Sequence, residues 1–550
     1  MEENNVKIND NATAVDLSGD RLSKRNFIMY PLGTFGRDFL YNVFVGYLLT
    51  FILLTKNLTT AQFSIITVII ICARVFDAFN DPIMGGIVEN TRTKWGKYKP
   101  WQLIGAVTTG VVIIALFNVK LTGWSFIGFF AFAYFMFSIT FTMNDISYWG
   151  MMPSLTSNPD DRNKLTSFTQ LVASAGGGLC SILVPALTVG AISQKVLGGA
   201  VRGYSVMSIF AAVIMVGFQM FTLFGVKEKP LPVNFEKTER MRLKDMFSVL
   251  FKNDQLLWCT LIMLLWSILS GVCMGNLMTF YIYFEFSYNG TLFTVFGVIM
   301  AVFSVLFTLF YPWFSKKLGR DRTLYSTGIC LIVSYSLLMI LGLSVPNVGG
   351  FTVMGIPITV KFLLMMIAYG VSGWASGFYM IMLINISNTV EYNEYRTGKR
   401  EEALIFSLRP FTAKLGSAIT QGIVSLVLII VGATAYTNKI SDLENLGTTT
   451  GEDMTGQITE VINSMSQSTK NGILICMCVI PIVLMAAALL IYKFKCNLNE
   501  ETLAKMVAET QARKAAEDTE VTETMEDSPF EISDDVAVVV ATEDSDGQEE

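Results

Sequence analysis

Residues 63–86 read FSIITVIIICARVFDAFNDPIMGG. The first ten form an apolar run suited to a hydrocarbon interior, and Arg74, Asp77 and Asp81 follow in the same segment. A charge near the centre of a bilayer costs about 2.5–3.5 kcal/mol on insertion scales. Two carboxylates four residues apart in a membrane helix therefore demand a reason, and the rest of the chain supplies the context.

With 52% hydrophobic and 15% charged residues, the 550-residue chain is too apolar for a soluble protein. Runs of about 20 residues, each able to cross a hydrocarbon core of ~30 Å, recur along it. Twelve are expected, over residues 27–56, 60–88, 101–119, 124–150, 165–191, 205–226, 254–286, 291–315, 324–344, 358–387, 403–433 and 471–494. The predicted fold class is an all-α integral membrane protein of twelve transmembrane helices in two six-helix halves. The halves would be residues 26–226 and 254–494, joined by a basic middle loop, 227–253. The loop after the second run, KWGKYK (Lys94–Lys99), is echoed after the eighth by KLGRDR (Lys317–Arg322), as parallel repeats would require.

Net charge divides the chain sharply. Residues 500–550 carry 17 acids and 3 bases, whereas residues 1–499 are net +9. With the N-terminus inside, Arg92, Lys94, Lys97, Lys99, Arg162, Lys164, Lys316, Lys317, Arg320 and Arg322 all fall in cytoplasmic loops. The positive-inside rule then places both termini in the cytoplasm and the chain in the plasma (inner) membrane. Segment 1–25 is polar, without the apolar core of a cleavable signal. Between the last two runs, loop 434–470 is expected to be polar and external. Met454, Ile458, Val461, Ile462 and Met465 recur there at helical spacing, predicting a short amphipathic helix on the outer face. After Lys495 a short helix capped by Asn499 is predicted, and the acidic tail (domain 495–550) is expected to be largely disordered beyond Asp518.

Seven of the eight cysteines lie within apolar runs and read as small core residues rather than a disulfide framework. The chain has no histidine, which removes His-ligated zinc, Ser-His-Asp triads and histidine proton relays together. No nucleophile–base pair stands out, so the chain is not read as an enzyme, and no cofactor is expected.

Eight charges lie inside the runs: Arg37, Asp38, Arg74, Asp77, Asp81, Asp145, Arg409 and Lys414. Facing lipid, they would cost roughly 20–28 kcal/mol together, more than a typical folding free energy. They must face inward, pair with one another and line a wet cavity. Asp77 and Asp81 share one helix face, and a bound cation would relieve the repulsion of two close carboxylates. Asn80 and Thr142 are candidate neutral oxygen ligands beside them, since hard cations favour oxygen. The competing expectation is that both acids only pair with Arg74 and Lys414. Asp145 and Trp149, again four apart, offer an acceptor and a flat ring, as a polyol requires. A membrane-interface role is the alternative for Trp149. Arg37 and Asp38 add a donor fork and an acceptor.

The stretches GTFGRDF (33–39), ARVFDAFNDPIMGGIVENTRTKWGKYKPW (73–101), TMNDISYWGMMP (142–153), VEYNEYRTGKREEA (390–403) and FTAKLGSA (411–418) resemble the glycoside–pentoside–hexuronide:cation symporter family. The resemblance runs over most of residues 25–430. It implies the major facilitator fold and symport of a sugar or glycoside with sodium, a proton or lithium. By motif position it implies cation-site roles for Asp77 and Asp81, with Asn80 and Thr142 near them, and sugar contacts for Asp38, Asp145 and Trp149. Lys414 matches a lysine close to the cation site, and Arg37 stands where the family's best-known member has a lysine. Arg74, Lys94 and Lys97 are read as coupling or gating residues. Two positions depart from that member. Gln170 stands at its sugar-binding arginine, and Arg409 replaces a glutamine, so a guanidinium has moved from one half to the other.

The expected function is cation-coupled uptake of a glycoside, pentoside or hexuronide, with sodium preferred to protons, by a monomer. Gln170 and Arg409 complete the candidate substrate-binding set. A transporter of the same fold carrying a lysophospholipid or other amphiphile is the alternative. A non-transporting membrane sensor acting through the tail is a third reading.

Overall fold

The computed structural model describes residues 22–156, 159–227, 243–286, 288–353, 356–398, 401–497, 502–503 and 505–513. The first half comprises α1 (Lys24–Thr55), α2 (Thr60–Asn90), α3 (Lys99–Asn118), α4 (Gly123–Met151), α5 (Pro159–Thr188), the short α6 (Ala191–Leu197) and α7 (Ala200–Gly225). A connecting helix, α8 (Leu243–Lys252), leads to the second half. That half contains α9 (Asp254–Val272), α10 (Met278–Glu285), α11 (Gly290–Leu318), α12 (Arg320–Ser344), α13 (Val360–Val371), α14 (Ser376–Thr397) and α15 (Glu402–Ile430). It closes with α16 (Ala433–Thr450), α17 (Thr455–Asn463) and α18 (Gln467–Lys495). A two-stranded hairpin, Phe351–Val353 with Ile356–Ile358, joins α12 to α13. Among the described residues twelve helical segments are long and apolar enough to cross a membrane. The fold is the expected all-α bundle of twelve spans.

Side-chain caps fix where several spans begin. Ser23 accepts from the Asn26 amide at α1, and Thr59 with Gln62 forms a reciprocal capping box at α2. Asn253, Asn289, Thr359 and Ser466 do the same for α9, α11, α13 and α18. The two echoed motifs share a backbone feature: their glycines, Gly96 and Gly319, have φ of 97° and 80°, although eight residues link α2 to α3 and Gly319 alone links α11 to α12. That left-handed backbone is why each repeat keeps a glycine there.

Two expected single spans are interrupted. A π-helical turn, Cys273–Leu277, separates α9 from α10, and a 3₁₀ turn, Ser372–Ala375, separates α13 from α14. Turns of these kinds inside long helices are often found at functional sites.

The inter-run loops hold more helix than expected. Residues 434–450, read as polar loop, are α16, whose buried side includes Thr437, Ile440, Ser441 and Glu444. The amphipathic helix expected over 454–465 is α17 (Thr455–Asn463). Met454, Ile458, Ile462 and Met465 are buried in the second half's core. The middle loop holds α8, whose Val249 and Leu250 join that core. Residues 505–513 are helical, and Arg513 donates to the carbonyls of Glu394 and Tyr395. The cap at Asn499 and the tail beyond Asp518 lie outside the described residues, as do residues 1–20.

Each half has its own apolar core. We call the end of the bundle where α1 starts and α18 stops the proximal end, and the opposite end distal. The second half's core admits Leu49, Leu53, Leu54, Phe63 and Val189 from the first half. All five come from the distal ends of α1, α2 and α5, so the halves fuse at that end.

Candidate functional site

About 13 residues, or ~20 Å, into α1, Arg37 and Asp38 reach the space between the halves at mid-depth. There they meet side chains of α2, α4 and α15 around a cavity of about 280 Å³. Its lining includes Arg37, Asp38, Arg74, Asp77, Asp81, Thr142, Asp145, Trp149 and Lys414, nine of the residues singled out in the sequence.

On the α1–α4 side, Arg37 is almost wholly buried and shared between two acids. Its Nη2 lies 2.8 Å from Asp38 Oδ2 and its Nη1 lies 3.1 Å from Asp145 Oδ1. The guanidinium also sits over Tyr148 and Trp149, 4.7 and 5.2 Å from their ring centroids. Thr34 donates to Asp38, and the Asn42 amide holds the Asp38 carbonyl at 2.7 Å. A buried guanidinium with two carboxylates and two rings is held rigidly. Asp145 retains 40% side-chain exposure and so offers an open face to a ligand. Trp149 stands edge-on to Tyr148 and lines the cavity rather than serving only an interface.

On the α2–α4 side, two carboxylate–hydroxyl rungs stack one helical turn apart. Ser138 donates to Asp77, and Thr142 donates to Asp81 at 3.3 Å. Each acid also has a basic partner: Arg74 lies 3.7 Å from Asp77, and Lys414 of α15 bonds Asp81 across the halves. The pairing anticipated as the competing reading is thus what these side chains adopt. Asn80 is buried on the same helix, with its amide nitrogen unpartnered, and is not part of the cavity wall. Tyr41 and Phe141, stacked at 4.8 Å, cover the space between the two sides.

Besides Asn80, four expected residues stand outside the cavity lining. Gln170 is exposed on α5, outside the cavity lining. Arg409 is exposed on α15, where its Nε donates to the Tyr379 hydroxyl at 3.1 Å. Tyr379 in turn stacks on Trp266. Pro410 follows Arg409 within α15, and the 140° between Arg409 and Lys414 keeps them on different faces. Lys94 and Lys97 lie in the proximal α2–α3 loop, Lys94 exposed and Lys97 over the Tyr98 ring. Conversely, Ser138, Tyr41 and Tyr134 line the cavity without having been singled out. Ser138 was findable, because it precedes Thr142 by four residues, the spacing of Asp77 and Asp81.

Charge decides what the cavity can accept. Its lining holds four carboxylates, Asp38, Asp77, Asp81 and Asp145, against three basic groups, Arg37, Arg74 and Lys414. One negative charge is left over, and a single monovalent cation would balance it.

A model of the family described as MFS/sugar transport protein matches residues 29–500. A lactose permease of Leuconostoc lactis is 27% identical over 515 residues, covering 90% of this chain and 73% of the relative. A raffinose carrier protein of Pediococcus pentosaceus is 26% identical, covering 74% and 62%. An isoprimeverose transporter of Lactiplantibacillus pentosus is 24% identical, covering 74% and 80%. Among solved structures, a D-xylose–proton symporter superposes with a TM-score of 0.52 at 12% identity, covering 86% of this chain and 98% of that one. That likeness speaks to the fold alone.

Proposed function

We propose, from the premise that this chain belongs to the MFS/sugar transport protein family, that it couples the entry of a neutral glycoside to a monovalent cation, sodium in preference to a proton. The chain is a multi-pass membrane transporter and not an enzyme. The observation that carries the cation reading is the single unbalanced negative charge of the cavity. The stacked hydroxyls of Ser138 and Thr142 beside Asp77 and Asp81 favour sodium, because a hard cation takes several oxygen ligands where a proton takes one.

In this reading the cation enters between the two rungs and Lys414 swings away from Asp81. The sugar lies against Trp149, its hydroxyls donating to the open face of Asp145 while Arg37 keeps that carboxylate and Asp38 in place. Each ligand tightens the other through the shared charge of the cavity, by about 1–3 kcal/mol. The loaded bundle then rocks between its two open states around the mid-depth site. The excess of basic residues in the proximal loops supports cytoplasmic termini, and the proposed transporter works as an importer in the plasma membrane, as a monomer. The position of Arg409 away from the cavity favours a neutral glycoside over a hexuronide.

One observation favours a second reading. An apolar slot of about 670 Å³ lies between α1 and α5 of one half and α11 and α13 of the other, lined by Tyr47, Ile182, Phe293, Val298 and Val302. A slot of that character suits the chain of a lysophospholipid. Proteoliposomes loaded with the full-length protein separate the readings. Lactose, raffinose, a phenyl glucuronide and a fluorescent lysophosphatidylcholine are offered in turn, under a sodium gradient or a pH gradient. The expected result is sodium-driven accumulation of a neutral oligosaccharide. Accumulation driven only by the pH gradient would replace sodium with the proton, and uptake of the lysolipid alone would establish the second reading.

A further inference from the structure

Where the halves fuse, at the distal end, α16 of the second half is bonded to three elements of the first. The Asn57 amide donates to the Asp442 carboxylate at 2.9 Å. Asn438 exchanges two hydrogen bonds with the backbone of Leu58, at 3.1 and 2.8 Å, and Asn445 donates to the Thr55 carbonyl at 2.9 Å. Arg202, in α7, donates to the Thr448 carbonyl at 2.9 Å. These side chains replace α1 and α2 backbone partners that a connection left free would leave to water. At the same end the Gly290 amide bonds the Val189 carbonyl, tying the start of α11 to the end of α5.

At the centre of this seam is Glu444, 1% exposed. Its Oε2 accepts from the Ala200 amide at 2.7 Å, at the start of α7, and from the Gln194 amide of α6 at 3.2 Å. Its Oε1 and the hydroxyl of neighbouring Tyr288, on the α10–α11 connection, are both buried and face each other, with no further partner for either. The other ionisable groups facing it are Tyr204 of α7 and Asp453, just beyond α16. The nearby cations are committed elsewhere: Lys56 to the Val119 carbonyl, Arg202 to Thr448, and Lys195 toward Asp453. Among the described residues none of them forms an ion pair with Glu444.

We propose that α16 is a latch over the distal mouth, and that Glu444 is a proton-binding site that holds the latch shut. Alternating access requires this mouth to open, and opening must draw Ala200, Gln194 and the α1–α2 connection away from α16. A carboxylate released to water by that motion is an ordinary glutamate. Seated in the seam it lacks a cation and is stripped of water, and a few neutral donors do not offset that burial. Protonation removes the charge and makes Oε1 a donor to Tyr288.

The sign follows from linkage. Burial raises the seated Glu444 from its ordinary 4.5 to about 7. Closing therefore takes up a proton between roughly pH 4.5 and 7, and that contribution to closure fades as pH rises through 7. Between pH 6 and pH 8 the ratio of closed to open latch should fall about tenfold, from the same relation.

The test needs neither sugar nor coupling cation, so it stands apart from the assignment of either. Spin labels carried on ketone-bearing residues at exposed Lys120 and Lys439 report the α16-to-first-half distance in the full-length protein by pulsed electron resonance. On going from pH 6 to pH 8 the population at the longer distance should rise about tenfold relative to the shorter one. Glu444→Gln, which stays neutral at the same size, should hold the short distance at both pH values. A distance distribution unmoved by pH in the unsubstituted protein overturns the proton site. A shift of the same size in Glu444→Gln assigns it to another group and overturns it equally. A cysteine pair, Asn57→Cys with Asp442→Cys, tests the latch itself: its disulfide should remove the longer distance at every pH, and its persistence in the cross-linked protein refutes the latch.

Discussion

At the scale of single residues, the cavity divides its work between two carboxylate pairs with different neighbours. Asp77 and Asp81 each have a hydroxyl and a basic side chain, whereas Asp38 and Asp145 share one guanidinium. In the proposed cycle the first pair exchanges a basic group for a cation, and Lys414 is the better candidate to leave, because its side chain is 30% exposed while that of Arg74 is 9% exposed. The second pair cannot release Arg37, which is buried and would stand as an uncompensated charge. Asp145→Asn keeps the shape but loses the charged acceptor proposed for sugar hydroxyls. A hydrogen bond to a charged group contributes about 1.5–3 kcal/mol, so sugar affinity should fall roughly 10- to 150-fold. Cation binding should fall less than sugar affinity: the cavity loses its spare negative charge, but Asp77 and Asp81 keep their hydroxyl neighbours. Calorimetry with the sugar and with sodium separately checks this, and equal losses would place Asp145 in the cation site.

At the scale of elements, the site depends on α1 lying close against α5 and α7. A Cβ added at Gly176 of α5 would sit 2.3 Å from the Phe35 carbonyl oxygen, two residues from Arg37. Gly176→Leu must therefore push α1 outward, at an overpacking cost of about 1–3 kcal/mol. Both the melting temperature in detergent and sugar affinity should drop, the latter through displacement of Arg37 and Asp38; an unchanged melting temperature would show that α1 tolerates the shift. How far each element was legible follows from where its signal lies. Span length and hydrophobicity are local, and the twelve runs correspond to the observed spans within a few residues at most ends. The breaks at Cys273–Leu277 and Ser372–Ala375 change the hydrogen-bonding pattern but not the hydrophobicity, so the apolar runs gave no sign of them. α16 escaped for the opposite reason. It buries polar residues, Thr437, Ser441 and Glu444, against backbone of the other half, and polarity alone reads as a loop. In the site, the i and i+4 spacings placed Asp77 with Asp81 and Asp145 with Trp149, but which helices face one another came only through the family resemblance. Gln170 and Arg409 show the limit of that inference, since matching positions did not bring either to the cavity wall.

At the scale of the whole molecule, two features fit one transport cycle. The halves are sealed at the distal end by shared core and by α16, while Asp81 and Asp145 at mid-depth remain 36% and 40% exposed. The cavity between them is one positive charge short of neutrality. A transporter that closes only when that charge is supplied cannot cycle with an empty cation site, which is the physical basis of coupling. The most direct measurement is calorimetric titration of sodium chloride into the purified full-length protein without sugar, at constant ionic strength in choline chloride. The unsubstituted protein should bind one sodium ion per chain, and Asp77→Asn should bind none while keeping its melting temperature within a few degrees. Equal sodium binding by the two proteins, or none by the unsubstituted one, would contradict a sodium site between α2 and α4.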